Sequence, residues 1–279
     1  MKKKHRLMLF SLILLNIIFY FYYISFSPEL RVIYFDVGQG DSIFIETPDK
    51  HQILIDGGPS KSSLLEKISS SIPFWDKSID LIILTHVESD HVSGLFDVLD
   101  NYIVENILWS GVEKESKKND TWKEMIKREN ANIYLSEEVD QIILGETILD
   151  IINFDRSNFL EDINDTSVVC KLYYNNTSFL FTGDISSKAE NKIIDDNISA
   201  DILKIPHHGS KYSSSEEFIE RVNPLVAVIQ VGKNSYGHPT SEVLTRLSNF
   251  GIKVLRNDIN GDIEIVSNGI NYKIIISKK

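Results

Sequence analysis

In ILTHVESDHVSGL, residues 83–95, an apolar run gives way to His86, Glu88, Asp90 and His91. Residues two apart in an extended segment project to the same side, so His86 and Glu88 face one point together. Asp90 and His91 are adjacent at the start of a helical pattern and point in different directions. Imidazole nitrogen and carboxylate oxygen suit Zn²⁺, Mn²⁺ or Fe²⁺. The cluster can therefore serve two ions, Asp90 and His91 on one, His86 and Glu88 on the other. The plainer alternative is a solvated helix start capped by Asp90. Two histidines and two acids within six residues are denser than a cap requires.

The other reactive side chains also follow apolar runs. FLFTG delivers Asp184, DILKIP delivers His207 and His208, and AVIQVG leads to the loop with Tyr236, Gly237 and His238. Layered architectures of strands and helices place their sites at the C-terminal ends of strands. The elements that must position these groups are legible as well. RVIYFDV, DSIFIET and HQILIDG read as strands separated by turns. Helical patterns cover residues 60–72, 92–101, 120–130, 186–196, 214–222 and 240–250, with strands dominating 133–181 and closing the chain. Antiparallel hairpin spacing at both ends favours a layered α/β (α+β) sandwich, two sheets with helices outside, over a purely parallel sheet. No repeat or Pro-, Gly- or Ser-rich linker divides residues 30–279, which read as one domain.

The chain has 279 residues, 42% of them apolar and 25% charged, which is ordinary globular material. Its beginning departs from that average. Lys2, Lys3, Lys4 and Arg6 form a basic tail over residues 1–6, followed by an uncharged apolar run from Leu7 to Phe26. Such a run is about the length of a membrane-spanning helix, and the aromatic residues of Phe19–Tyr23 suit an interface belt. The expectation is a single transmembrane anchor over residues 7–27. Its positive flank keeps the tail in the cytoplasm and places the remainder outside the cell. The alternative is a signal peptide, although no small-residue cleavage site is visible. Setting aside the four basic residues takes the formal net charge from −11 to −15. A body this acidic repels nucleic-acid phosphates over most of its surface, so a phosphate substrate needs local positive charge, which bound metal ions supply. The single cysteine, Cys170, excludes internal disulfides and reads as a buried strand residue.

Seven segments occur in a telling order: FDVGQGDSIFIET, ILIDGG, LTHVESDHVSGL, NDTSVV, FLFTGDI, DILKIPHHGSKYSSS and NSYGHPTSEVLTRL. Together they resemble the metallo-β-lactamase fold, and within it the extracellular hydrolase domain of the ComEC DNA-uptake family. The resemblance covers almost everything after Arg31. It implies an αββα sandwich with a two-metal hydrolytic site. His86, Asp90 and His91 match ligands of the first motif, and Asp184 matches the aspartate that bridges the two ions. One histidine of PHHGS completes the shell. His207 is favoured as ligand, being the first polar residue off the strand, with His208 as the alternate or a proton donor. His238 reads as a substrate or transition-state contact or as the general acid, against the plainer reading of a residue preceding a helix. Asp36, Gln39, Asp41 and Asp56 belong one layer out, Asp56 as the carboxylate that orients a ligating histidine, or else these loops only form turns.

Two departures matter. The third motif of zinc-dependent lactamases carries a histidine, whereas INDTSVV offers Asn164 and Asp165. Glu88 stands where the family has histidine or aspartate. More oxygen donors make the site harder, which favours Mn²⁺ over Zn²⁺. The expected metal ligands are thus His86, Glu88, Asp90, His91, Asp184 and His207, and the expected catalytic groups are His238, His208 and Asp90. The expected activity is hydrolysis of a phosphodiester by two divalent ions in a membrane-anchored, extracellular enzyme, acting on nucleic acid or on a cell-envelope polymer. A choline-type ester is an alternative substrate. A tethered binding module with a degenerate site, permitted by Glu88, is an alternative of another class. The family attaches this domain to a multi-span channel, so DNA transport is not expected where a single apolar segment precedes it.

Overall fold

Along Val32-Ile33-Tyr34-Phe35, alternate side chains leave the strand on opposite faces. Val32 and Tyr34 enter an apolar core with Phe179, Phe181 and Val228, while Ile33 and Phe35 enter another with Leu64, Val92 and Leu95. A strand buried on both faces belongs inside a layered sandwich. The computed structural model describes residues 2–25, 28–59, 63–113, 115–156 and 162–278.

The strands are, in chain order, β1 (Leu30–Tyr34), β2 (Ile43–Glu46), β3 (Gln52–Ile55), β4 (Ser78–Leu84), β5 (Ile103–Trp109), β6 (Asn132–Leu135), β7 (Gln141–Leu144), β8 (Thr147–Ile152), β9 (Val169–Tyr174), β10 (Thr177–Phe181), β11 (Ile202–Lys204), β12 (Val226–Ile229), β13 (Lys253–Arg256), β14 (Ile263–Ser267) and β15 (Tyr272–Ile276). One sheet runs β15-β14-β1-β2-β3-β4-β5-β6 and the other β13-β12-β11-β10-β9-β8-β7. The helices are α1 (Lys2–Ser25), α2 (Leu64–Ser71), α3 (Ser89–Asn101), α4 (Lys117–Arg128), α5 (Ser187–Ile193), α6 (Glu216–Val222), α7 (Ser241–Asn249) and the short α8 (Asn257–Asn260). Residues of α2, α3 and α4 share an apolar cluster with the outer face of the first sheet. Those of α5, α6 and α7 do the same for the second. The expected αββα order holds, with Cys170 buried in the central core.

The expected helices are each present with ends shifted by a few residues, and residues 60–62 of the first lie outside the described set. Among the described residues, no helix is long and apolar enough to cross a membrane. The apolar side chains described on α1 run from Met8 to Phe19 and are exposed. The side chains of residues 20–27 in the expected anchor lie outside the described residues.

One close approach fixes where α3 begins. Gly57 N donates to the carbonyl of His91 at 2.6 Å, and Gly94 N donates to the carbonyl of Gly58 at 3.0 Å. A Cβ on Gly94 would run into the Gly57 carbonyl. The glycines after β3 therefore hold the first turn of α3, and with it His91, against the sheet. Gly94→Ala should destabilise the fold by about 1–3 kcal/mol, the usual cost of overpacking. Urea denaturation checks this, and a variant as stable as the parent would show that the contact yields freely.

Candidate metal centre

Four segments meet at one end of the two sheets. Asp56 and the His86 segment follow the parallel pair β3 and β4, and Asp184 and His208 follow the parallel pair β10 and β11. Thr85 O accepts from Val168 N across the two sheets at 2.9 Å, which draws the ends together. Asp184 Oδ2 lies 3.3 Å from His91 Nε2 and 3.2 Å from His208 Nε2, and His208 Nε2 lies 3.3 Å from Asp90 Oδ2. Donor atoms of His86, His91 and Asp184 lie within 4.8 Å of one another, as do those of Asp90, His91 and His208.

The preference for His207 over His208 is corrected by this geometry. Both residues have left-handed backbone, φ 49° and 51°, in the 3₁₀ turn Pro206–Gly209. The turn sends His208 inward, 2% exposed, while His207 stays half-buried on the cleft wall, its ring 5.6 Å from that of His238. Being first off the strand does not decide orientation when the backbone reverses at once. His208 is equally unsuited to the proton-donor role expected of it, because it is enclosed and both its ring nitrogens face acceptors. Glu88 immediately precedes α3 and lines the cleft, but it belongs to none of the close donor groups.

The hydrogen bonds behind the histidines settle their tautomers. His91 Nδ1 donates to Asp56 Oδ2 at 2.8 Å, so Asp56 is the orienting carboxylate. His208 Nδ1 donates to the carbonyl of Gln230 at 2.8 Å. Around His86, Thr85 Oγ1 gives its one proton to Asp56 and Ser167 Oγ gives its own to the carbonyl of Asn164. Both hydroxyls, 3.0 and 3.2 Å from His86 Nδ1, must therefore accept from it. All three imidazoles spend Nδ1 on the protein and present Nε2 to the cluster, where Nε2 of His86, His91 and His208 makes no hydrogen bond. Buried polar atoms are rarely left so. Three open imidazole nitrogens converging on a carboxylate fit a divalent metal ion, with His86, His91, His208, Asp90 and Asp184 as the residues that would hold it.

Charge explains the rest of the arrangement. Burial works to raise the Asp184 carboxyl, but His208, His91 and Lys204 outweigh it and hold the group well below the usual carboxylate range. Burial likewise opposes charge on His91 and His208. Asp184 overcomes it for both, aided by Asp56 for His91 and Asp41 for His208, and their pKa values rise well above normal. His86 is pushed down to about 3, first by burial and then by the neighbouring His91 charge. Lys204, absent from the expected site, is 1% exposed; its Nζ pairs with Asp41 and with Asp184 Oδ1 at 3.3 Å. The visible signal was a single basic residue within the otherwise apolar run ILKIP. Asp41 is thus more than a turn residue, whereas Asp36 pairs with Lys278 on the exterior.

Above the cluster lies a cleft of about 210 Å³ lined by Gln39, Glu88, Asp90, Asn164, Asp184, His207, His208, Tyr236 and His238. The Asn234 side chain accepts from His238 N and donates to the His238 carbonyl, fixing that loop over the cleft. Burial, then the charges of His207 and His208, lower His238 to about 4. His238 is therefore neutral at pH 7 and suits a hydrogen-bonding contact to substrate better than a protonated acid. Lys211 stacks 5.0 Å from the Tyr212 ring and is not among the cleft residues.

Residues 35–233 match the family model described as the metallo-beta-lactamase superfamily. The chain is 31% identical over 265 residues to ComE operon protein 3 of Bacillus subtilis (strain 168), covering 88% of this chain and 34% of that protein. It is 28% identical over 257 residues to competence protein ComA of Neisseria gonorrhoeae, covering 87% and 34%. It thus spans about a third of the length of these curated relatives. A solved diphosphatase of the PhnP family shares the fold with a TM-score of 0.50 at 17% identity, covering 85% of this chain and 98% of that one.

Two outcomes check the centre. The pKa values of His91 and His208 are raised well above normal by Asp184 and its neighbours, and a ligating imidazole must be deprotonated, so metal uptake should release protons and affinity should rise with pH. Calorimetric titration in buffers of different ionisation enthalpy measures this, and uptake without proton release would contradict it. Asp56→Asn should weaken metal binding roughly 10–100-fold by freeing the His91 ring, measured by competition with a chromogenic chelator.

Proposed function

The chain belongs to the metallo-beta-lactamase superfamily, and we propose that it is a metal-dependent hydrolase of phosphodiester bonds. The observation that carries this reading is the set of three buried Nε2 atoms, each without a hydrogen bond, gathered around Asp184. A bound divalent ion supplies Lewis acidity, both to make water a nucleophile at neutral pH and to take up negative charge developing in the transition state. The residues of the chain do the rest. Asp56, Thr85, Ser167 and the Gln230 carbonyl lock the imidazoles, so no reorganisation is needed during reaction. Asp90 has a side chain 31% exposed to the cleft, within reach of a substrate oxygen or an attacking water as well as of the cluster. Neutral His238 offers an N–H to a phosphoryl oxygen or the leaving group, and Tyr236 and His207 wall the same space.

The phosphodiester assignment draws support from the missing third-motif histidine and from the relation of fold to a diphosphatase. No lysine or arginine lines the described cleft, so a substrate phosphate relies on the centre itself for positive charge. The donor set combines three imidazoles with two carboxylates, and of the divalent ions it would accept we propose Mn²⁺. We read Lys2–Arg6 and the apolar run to Phe26 as a single membrane anchor that places the centre outside the cell. The acidic body weighs against extended nucleic acid and, with the proposed placement outside the cell, makes a cell-envelope phosphodiester the second reading. A degenerate binding module is disfavoured by the intact donor set.

Hydrolysis of bis-p-nitrophenyl phosphate, DNA, RNA and teichoic acid by the purified full chain tests the proposal. EDTA should abolish activity and Mn²⁺ restore it. Asp184→Asn and His208→Ala should lose at least about 10²-fold in kcat, a typical scale for removing one preorganised catalytic group. His238→Asn should lower kcat with bound metal unchanged. Equal inactivity of the parent and Asp184→Asn on every substrate would sink the hydrolase reading.

A further inference from the structure

Resting on the metal-hydrolase reading, we propose that the centre is built for one tightly held divalent ion, with the buried Lys204 ammonium standing in for a second. The donors divide unevenly. Asp90 Oδ2, His91 Nε2, His208 Nε2 and Asp184 Oδ2 form one well-furnished position, linked by contacts of 3.2–3.3 Å. Among the described residues, the close group that joins Asp184 to His91 of α3 adds just His86 to those donors. Asp165, the carboxylate of the third-motif segment, is spent elsewhere. The Asp165 carboxylate accepts from Ser186 N at 2.6 Å and from Ser186 Oγ at 2.8 Å, at the start of α5.

Lys204 occupies the far side of the same carboxylates. Its Nζ reaches three acceptors: Asp41 Oδ2, Asp184 Oδ1 at 3.3 Å and the Gly183 carbonyl at 2.7 Å. An ammonium has three protons, so these acceptors use its full capacity. Asp184 thereby has Oδ1 engaged by a fixed cation and only Oδ2 turned to the histidines. The other Asp41 oxygen lies 3.3 Å from His208 Nδ1, so the same lysine also steadies a carboxylate behind a ligating histidine. A positive charge fixed on Asp184 weakens that group's pull on an additional ion. Lys204 is therefore a positioning residue: it selects the oxygen that Asp184 presents and limits how many ions that oxygen holds.

The test is the metal stoichiometry of the full chain, stripped by chelator and titrated with Mn²⁺ alone, read by equilibrium dialysis and by electron paramagnetic resonance. The parent should bind one ion tightly and a second at least tenfold more weakly, with no spin-coupled pair. Lys204→Met, close in shape and uncharged, should tighten the second ion at least tenfold and produce a coupled signal. Lys204→Gln serves as the second variant, and circular dichroism confirms folding of both. Two equal sites in the parent overturn the proposal by themselves, as do folded variants that still bind a single ion. A parent that binds neither Mn²⁺ nor Zn²⁺ overturns instead the metal-hydrolase reading on which the proposal rests.

Discussion

Asp184 is a carboxylate placed where water does not reach, and the site is organised around making that tolerable. An isolated buried charge costs several kcal/mol after relaxation, so it persists only among compensating groups. His91 and His208 approach one oxygen and Lys204 the other. Each of those groups is also buried and needs its own partner. Asp56 serves His91, Asp41 serves Lys204 and lies beside His208, and the Gln230 carbonyl accepts a hydrogen bond from His208 Nδ1. Removing any one member strands another, which makes the cluster a single cooperative unit.

That unit joins the two halves of the sandwich. Asp41, Asp56 and His86 come from loops of the first sheet and His91 from α3, whereas Asp184, Lys204 and His208 come from the second. The hydrophobic core between the sheets sets their separation, and the polar cluster closes one end of it. A change in packing between the sheets therefore reaches the centre directly, through the distance between Asp184 and the histidines. The cleft above inherits the same economy of charge: the body is strongly acidic, no lysine or arginine lines the described cleft, and an ion held by the cluster would have to supply the positive charge.

The sequence by itself determined the layers and most of the centre's members. Alternation in Val32-Ile33-Tyr34-Phe35 and apolar runs ending in His86, Asp184 and His208 are local signals, because strand period and strand end are properties of contiguous residues. Asp56 was legible as the orienting carboxylate, since a carboxylate behind a metal-binding imidazole is a recurrent requirement. What only the tertiary structure decided is orientation and pairing. Two left-handed residues in succession exchange the roles of His207 and His208, and no one-dimensional spacing reports a φ angle. Glu88, alike in type to a ligand, stays on the cleft wall because its place immediately before α3 directs it there. Lys204 reads in sequence as one charge in an apolar strand; its meaning depends on Asp184, which follows the neighbouring strand, and on Asp41, far away along the chain and brought to it by the facing ends of two sheets. Burial energy depends on all neighbours at once, and only the folded chain supplies them.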